Sequence, residues 1–465
     1  MKRIPEDVII IIASFLPYKR LAPFATLSRP WQRAIERRTF STLYINSRTK
    51  DIYVFERIVW ANHMRRRFLR YLTFSIQLYV DRDKFKSSQH WQQPSAYLTW
   101  NLRRLFLILA ESGDDKKMTL ELDGKMYQNI QYDEPRYPPL RLALIGNADH
   151  FPIVKCVSEL VFFMDNPRIR IALRAAINIA KKLPCLRRID IMGQKGYAIE
   201  TYEAYQEDQA VRWGDWHSLA DALVEVNFLS GTECREVTLL LESYDPRAFE
   251  EGDGWVPNRT SLLSYDPLGA AVRTWSYNLV SLRISGIFDG SLFWPSKSER
   301  LEMPVSPWPR LRVFDVLLGL MTPTGGRYFM KQPDSHGRNV PCEDTMQPLF
   351  AAWAKALESM PVLEHAAIQF HVDWDLEESL NNWSVSVQGP CTMIDGILRP
   401  WANELRRHPD KSKLVFWNTK GWRPENLIVG KLEAMLKDRF PSREMITIET
   451  FCKRPFRIDE YPPSP

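Results

Sequence analysis

The chain has 465 residues, 45% of them hydrophobic, enough to bury a large core and too many for one compact domain; two or three units, or an extended scaffold, fit. Cys156, Cys185, Cys234, Cys342, Cys391 and Cys452 have neither the paired spacing nor the density of a disulfide framework, and the early apolar run Val8 to Ala13 is too short for a membrane span and lacks a signal peptide's cleavage region, so a soluble protein of the reducing cytoplasm or nucleus is expected. The net charge of +6 hides an asymmetry: residues 1–104 carry 20 Lys/Arg against 7 Asp/Glu, the rest 42 against 49.

A basic first part suits nucleic acid, an anionic membrane or an acidic protein. No aromatic-basic motif of a nucleic-acid reader accompanies it, so a solvated basic face is the preferred reading.

From Ile4 the segment IPEDVIIIIASFLPYKRLAPFATLSRPWQRAI changes its apolar spacing twice, which predicts three short helices. Pro5, Glu6 and Asp7 suit a first helical turn, since proline presets φ and acids favour the positive end of the helix dipole. Val8, Ile9, Ile12, Phe15 and Leu16 continue at helical spacing until Pro17. Leu21, Phe24 and Leu27 form a second apolar group, and Trp31 with Ile35 a third. So short a segment cannot build a sufficient core alone, so a partner or the following domain should cover part of it.

These residues resemble the F-box family: Ile4-Pro5, Asp7, Ile9 and Ile12, Leu16-Pro17, Leu21, Leu27-Ser28 and Trp31 follow its pattern. Arg20 stands where an acid is usual, Ser28 replaces a cysteine, and Pro30 interrupts a usually basic helix unless it starts that helix. The resemblance implies a three-helix F-box over residues 1–45, docking on a Skp adaptor and through it on a cullin, with Ile4, Pro5, Ile9, Ile12, Leu16, Pro17, Leu21, Phe24, Leu27 and Trp31 as the adaptor-binding residues.

Residues 46–465 are expected to form the recognition domain. Three units place a helix before a short strand: Ile171 to Leu183 then Leu186 to Ile191, Trp216 to Phe228 then Glu236 to Leu241, and Thr345 to Met360 then Leu363 to Phe370. Leu183-Pro184-Cys185-Leu186 and Met360-Pro361-Val362-Leu363 share one turn plan. Met118 to Leu122, Leu279 to Ile284, Leu311 to Leu317, Leu414 to Trp417 and Met445 to Ile448 are further strands. Crossovers of one hand repeated in one direction stack strands in parallel, so the expected fold is α/β, an irregular leucine-rich-repeat-like helix-strand solenoid; an ordinary α/β domain with a parallel sheet is the alternative. Gly196 to Asp215, Asp245 to Asp266 and Thr322 to Asp344 read as rim loops.

SGIFDGSLFWP (Ser285 to Pro295), WPRLRVFDV (Trp308 to Val316), TPTGGRYF (Thr322 to Phe329) and WSVSVQG (Trp383 to Gly389) also resemble filamentous-fungal F-box proteins without assigned substrates. No chemistry attaches to these motifs.

Chemical motifs are sparse. Gly325-Gly326-Arg327 lacks the Lys-Ser/Thr of a phosphate loop and reads as a turn. His371, Asp373, Asp375, Glu377 and Glu378 include metal-ligand types, but read better as a solvated strand end before an acidic helix start, so no metal or other cofactor is expected. Arg65-Arg66-Arg67 reads as the polar face of an amphipathic helix ahead of a nuclear-import patch. Within the loop from Gly196, Tyr202, Glu203, Tyr205, Glu207 and Asp208 combine recognition-prone rings with one sign of charge, a candidate surface for a basic client protein. The expected function is therefore that of a non-catalytic substrate receptor of a Skp-cullin-F-box ubiquitin ligase; a Skp-binding scaffold without a ligase role, or an enzyme whose first helices merely resemble an F-box, are the alternatives.

Overall fold

A computed structural model describes residues 4–78, 92–111, 117–126, 140–146, 148–163, 169–193, 202–225, 233–241, 265–295, 308–331, 338–373, 380–390 and 408–450. The fold is mixed α/β with a mostly parallel set of strands. Contacts divide the chain into two units, residues 1–211 with 230–234, and 212–229 with 235–465. The expected boundary at residue 45 falls inside the first strand, β1 (Thr42–Asn46).

In the first unit, helices α1 (Glu6–Phe15), α2 (Leu21–Ala25) and α3 (Arg29–Thr39) precede β1. After α4 (Thr49–Phe55), a π turn and α5 (His63–Phe68) come β2 (Tyr71–Leu78), α6 (Gln92–Ala110), β3 (Met118–Met126), β4 (Leu140–Leu142), β5 (Val157–Phe163), β6 (Ile169–Ile171), α7 (Leu173–Ala180) and β7 (Arg188–Met192). β1, β2, β3, β5 and β7 lie side by side in chain order, every neighbour parallel. β4 and β6 form a separate parallel pair.

These strands alternate. Leu72, Phe74, Leu120, Leu122, Leu160, Phe162, Ile189 and Ile191 are buried on one face, whereas Thr42, Tyr44, Tyr71, Thr73, Thr119, Glu121 and Glu159 stand on the other and keep part of their surface in water. A parallel sheet covered on both sides reads as continuous apolar runs, so the alternation itself states that one face is core and the other is not. α6 packs against β2 and buries Leu98, Leu102, Leu105 and Leu109, a spacing that keeps one helical stripe inside.

The second unit begins within α8 (Tyr202–Val224) and continues through β8 (Glu236–Leu240), α9 (Pro267–Ser276), β9 (Ser281–Gly286), β10 (Val313–Leu318), β11 (Phe329–Lys331), β12 (Arg338–Pro341), α10 (Glu343–Glu358), β13 (His365–Asp373), β14 (Leu380–Gln388), β15 (Ser412–Trp417), α11 (Asn426–Arg439) and β16 (Met445–Thr450). β8, β9, β10 and β13 are again parallel and in chain order. β14 then runs antiparallel to both β13 and β15, a reversal absent from the expected all-parallel stack. β15 and β16 are parallel.

The two proline turns recur in the structure. Leu186 N–H donates to Leu183 C=O at 3.0 Å, and Leu363 N–H to Met360 C=O at 3.3 Å. A third copy without proline joins α9 to β9, where Leu279 N–H donates to Ser276 C=O at 3.0 Å. In each, the leucine that ends the turn is buried beneath the strand it introduces.

Two expected loops take other forms. Residues 202–215 lie in α8, which starts well before the expected Trp216, and Thr322 to Asp344 contains the antiparallel ribbon β11–β12. Most of the remaining expected loop, 242–264, lies outside the described residues.

Candidate docking surface on the first three helices

α1, α2 and α3 close a small core of their own from Ile9, Ala13, Leu21, Ala34 and Ile35, with Ile10, Leu16, Phe24, Ala25 and Trp31 packed around it. Phe24 and Trp31 meet with ring centroids 5.5 Å apart. Ser28 precedes α3 in extended backbone and Pro30 lies in its first turn, where a missing N–H costs no helical hydrogen bond. The helix starts at the proline instead of being broken by it.

Arg38 locks the end of α1. Its guanidinium donates to the carbonyls of Ala13 and Leu16 at the end of the helix, where Ala13 C=O also accepts from Leu16 N–H at 3.3 Å, and lies 4.6 Å from the centre of the Tyr18 ring. Arg65 of α5 pairs with Glu36 of α3 at 2.8 Å and lies over the Phe40 ring. Within the run 65–67, Arg65 thus ties the helical module to the following segment.

The core leaves much of α1 uncovered. Ile4, just ahead of the helix, is 53% exposed, followed by Val8, Ile11 at 58% and Phe15 at 83%, a spacing of four, three and four residues that places them in one stripe. Ile9 and Ala13 occupy the opposite side. A surface helix normally carries one apolar stripe; α1 carries two, and only one is buried. Ile12, Tyr18 and Leu27, the last 62% exposed, add to the uncovered surface.

The ten residues assigned to adaptor binding from sequence therefore divide. Ile9 and Leu21 lie in the module's own core; Leu16, Phe24 and Trp31 are half-buried against it; Ile4, Pro5, Ile12, Pro17 and Leu27 are exposed. Val8, Ile11, Phe15 and Tyr18 belong to the exposed set without having been assigned to it. The stripe beginning at Ile4 was the signal that would have found them.

The segment expected to be a client-binding loop is helical instead. Tyr202, Glu203, Tyr205, Glu207 and Asp208 lie on the helix α8, and their side chains are outside the described residues. Farther along α8, Arg212, Asp215 and Trp216 are buried. His371 is half-buried on β13, and Asp375, Glu377 and Glu378 lie outside the described residues. Among the described residues no group of three or more His, Cys, Asp or Glu side chains could hold a metal ion, and no helix is long and apolar enough to cross a membrane. Gly325-Gly326 forms a turn, with Gly325 at φ 90° and Thr322 N–H donating to Gly326 C=O at 2.8 Å.

The fungal-like motifs serve packing. Trp308 is fully buried and donates to Ser276 Oγ at 2.7 Å; Tyr328 donates its phenol to Phe288 C=O at 2.7 Å; Asp289 caps a short turn in which Leu292 and Phe293 are buried. No family model matches the chain, and no curated protein matches its sequence.

Proposed function

We propose that the chain is a substrate-recognition subunit of a Skp-cullin-F-box ubiquitin ligase, docking on the Skp adaptor through the uncovered side of its first three helices. The observation that carries this reading is the second apolar stripe of α1, exposed on a module whose core is already closed. Burying large exposed side chains of that kind releases roughly 1.5–3 kcal/mol each, so the surface favours a partner. The F-box-like order of residues supplies the identity of that partner.

The rest of the chain is a helix-strand solenoid that holds the client. Strands laid down in chain order with parallel neighbours support this reading, since a doubly wound sheet reverses its order at a switch point. The receptor acts by proximity: a client bound to it is held near the conjugating enzyme, which raises the effective concentration of its lysine without a catalytic group from this chain.

The test is co-purification with a Skp adaptor of wild type beside the double variant Phe15→Ser, Leu27→Ser. Both positions are exposed, so the variant should keep its circular dichroism and melting temperature and lose the adaptor. Undiminished adaptor recovery by the folded variant overturns the proposal.

A further inference from the structure

We infer that the polar face of the parallel sheet in the first unit is a docking surface for a lysine- and arginine-rich segment of a partner protein. This inference does not depend on the adaptor reading.

The register builds the surface. Tyr44, Thr73 and Glu121 stand side by side on β1, β2 and β3, and Tyr71, Thr119 and Glu159 form the adjacent row on β2, β3 and β5. All six project from the face opposite the leucine-rich core. Tyr44, at the outer strand, is half exposed. Parallel sheets are ordinarily covered on both sides, so a face that leaves these two rows partly in water is itself unusual.

On this face Glu121 and Glu159 are held in place by neutral donors. Tyr71 and Thr73 donate to Glu121 Oε2, and Thr119 donates to Glu159 Oε2 at 3.1 Å. Among the described residues neither Glu121 nor Glu159 has a cationic partner, and in each the hydrogen bonds engage one oxygen only. Arg188, beside Glu159 in register, pairs instead with Asp190 at 2.9 Å. Further along the same face Ser75 is fully buried with its hydroxyl unpartnered, next to Asp123.

The negative potential registers on a neighbour. The Tyr71 phenol is held well above its usual range, by burial first, then by its bond to Glu121 and by the charges of Glu121, Asp190 and Glu159. That field is local, because residues 1–211 as a whole carry 34 Lys/Arg against 22 Asp/Glu. Oriented carboxylates with one oxygen unengaged suit guanidinium and ammonium groups. Charge complementarity therefore selects a basic segment.

The full-length protein is titrated into a fluorescein-labelled peptide of alternating lysine and serine, with an alternating glutamate-serine peptide as control, and binding is read by anisotropy. Wild type should bind the cationic peptide, more weakly as salt rises, and ignore the anionic one. The double variant Glu121→Gln, Glu159→Gln keeps the acceptors and should weaken binding by about tenfold. The single variant Glu159→Gln, at a carboxylate held by one hydrogen bond, should weaken it by roughly threefold and decides the matter if the double variant fails to fold. Adaptor recovery should be unchanged in all variants, which separates this surface from that of the helices. Equal peptide binding by folded variants and wild type overturns the inference. So does sedimentation showing that wild type self-associates and the double variant does not, for the face would then belong to a second copy.

Discussion

Ile9 and Phe15 lie six residues apart in the same helix, yet one is 3% exposed and the other 83%. Truncation should therefore separate folding from docking. Leu21→Ala removes a core side chain and should cost about 2–4 kcal/mol in the helical module, seen as faster amide exchange across residues 5–40. A folded, unperturbed Leu21→Ala protein would show that this leucine faces a partner after all. Gly389 is a second residue whose role lies in a close approach: a Cβ there would stand 2.6 Å from Phe440 Cζ. Gly389→Ala should lower stability by about 1–3 kcal/mol in urea denaturation. An unchanged midpoint would mean that the ring turns aside at no cost.

At the scale of elements, the helix-to-strand turn is the repeated device of the fold. Proline marked two copies in the sequence, and the third, at Ser276 to Leu279, carries none. What the copies share is the terminal leucine, buried in each. Pro361→Ala should then change stability by no more than about 1 kcal/mol, through unfolded-state entropy, whereas Leu363→Ala should cost about 2–5 kcal/mol by leaving a cavity under β13. Equal losses in urea denaturation would shift the credit to the proline. The same logic explains the fungal-like motifs: their aromatic residues fill the second unit's core, so their similarity reports packing.

For the whole molecule, buried phenols set the alkaline limit. Tyr328 is buried and its phenol is held well above the ordinary value of 10.0, by desolvation first and then by the charges of Asp289 and Asp266. The unfolded chain releases that proton near its ordinary value while the folded chain keeps it, so the contribution is complete below that pH and is lost as pH rises toward the folded value. The raised Tyr71 phenol acts in the same direction. Melting temperature followed from about pH 8 to 11 should fall steeply above pH 10 in wild type and less steeply in Tyr328→Phe. The variant should also be less stable by about 1–3 kcal/mol at neutral pH, because Phe288 C=O loses its donor. Parallel alkaline declines in the two proteins would remove Tyr328 from the account.

Local periodicity alone located the opening helices and eight of the strands, since alternation from Met118 or Leu414, and helical spacing from Thr345, need no distant partner to be read. The start of α8 was missed because its acids and tyrosines have the composition of a loop, and β14 because WSVSVQG does not encode the direction of its neighbours. Which side of α1 is buried, and which carboxylates share the open face of the first sheet, follow from contacts between residues far apart in the chain. Ile9 and Ile11 are the same residue type in the same helix, and Glu121 and Glu159 are 38 positions apart, so only helix packing and strand register could separate the first pair and bring together the second.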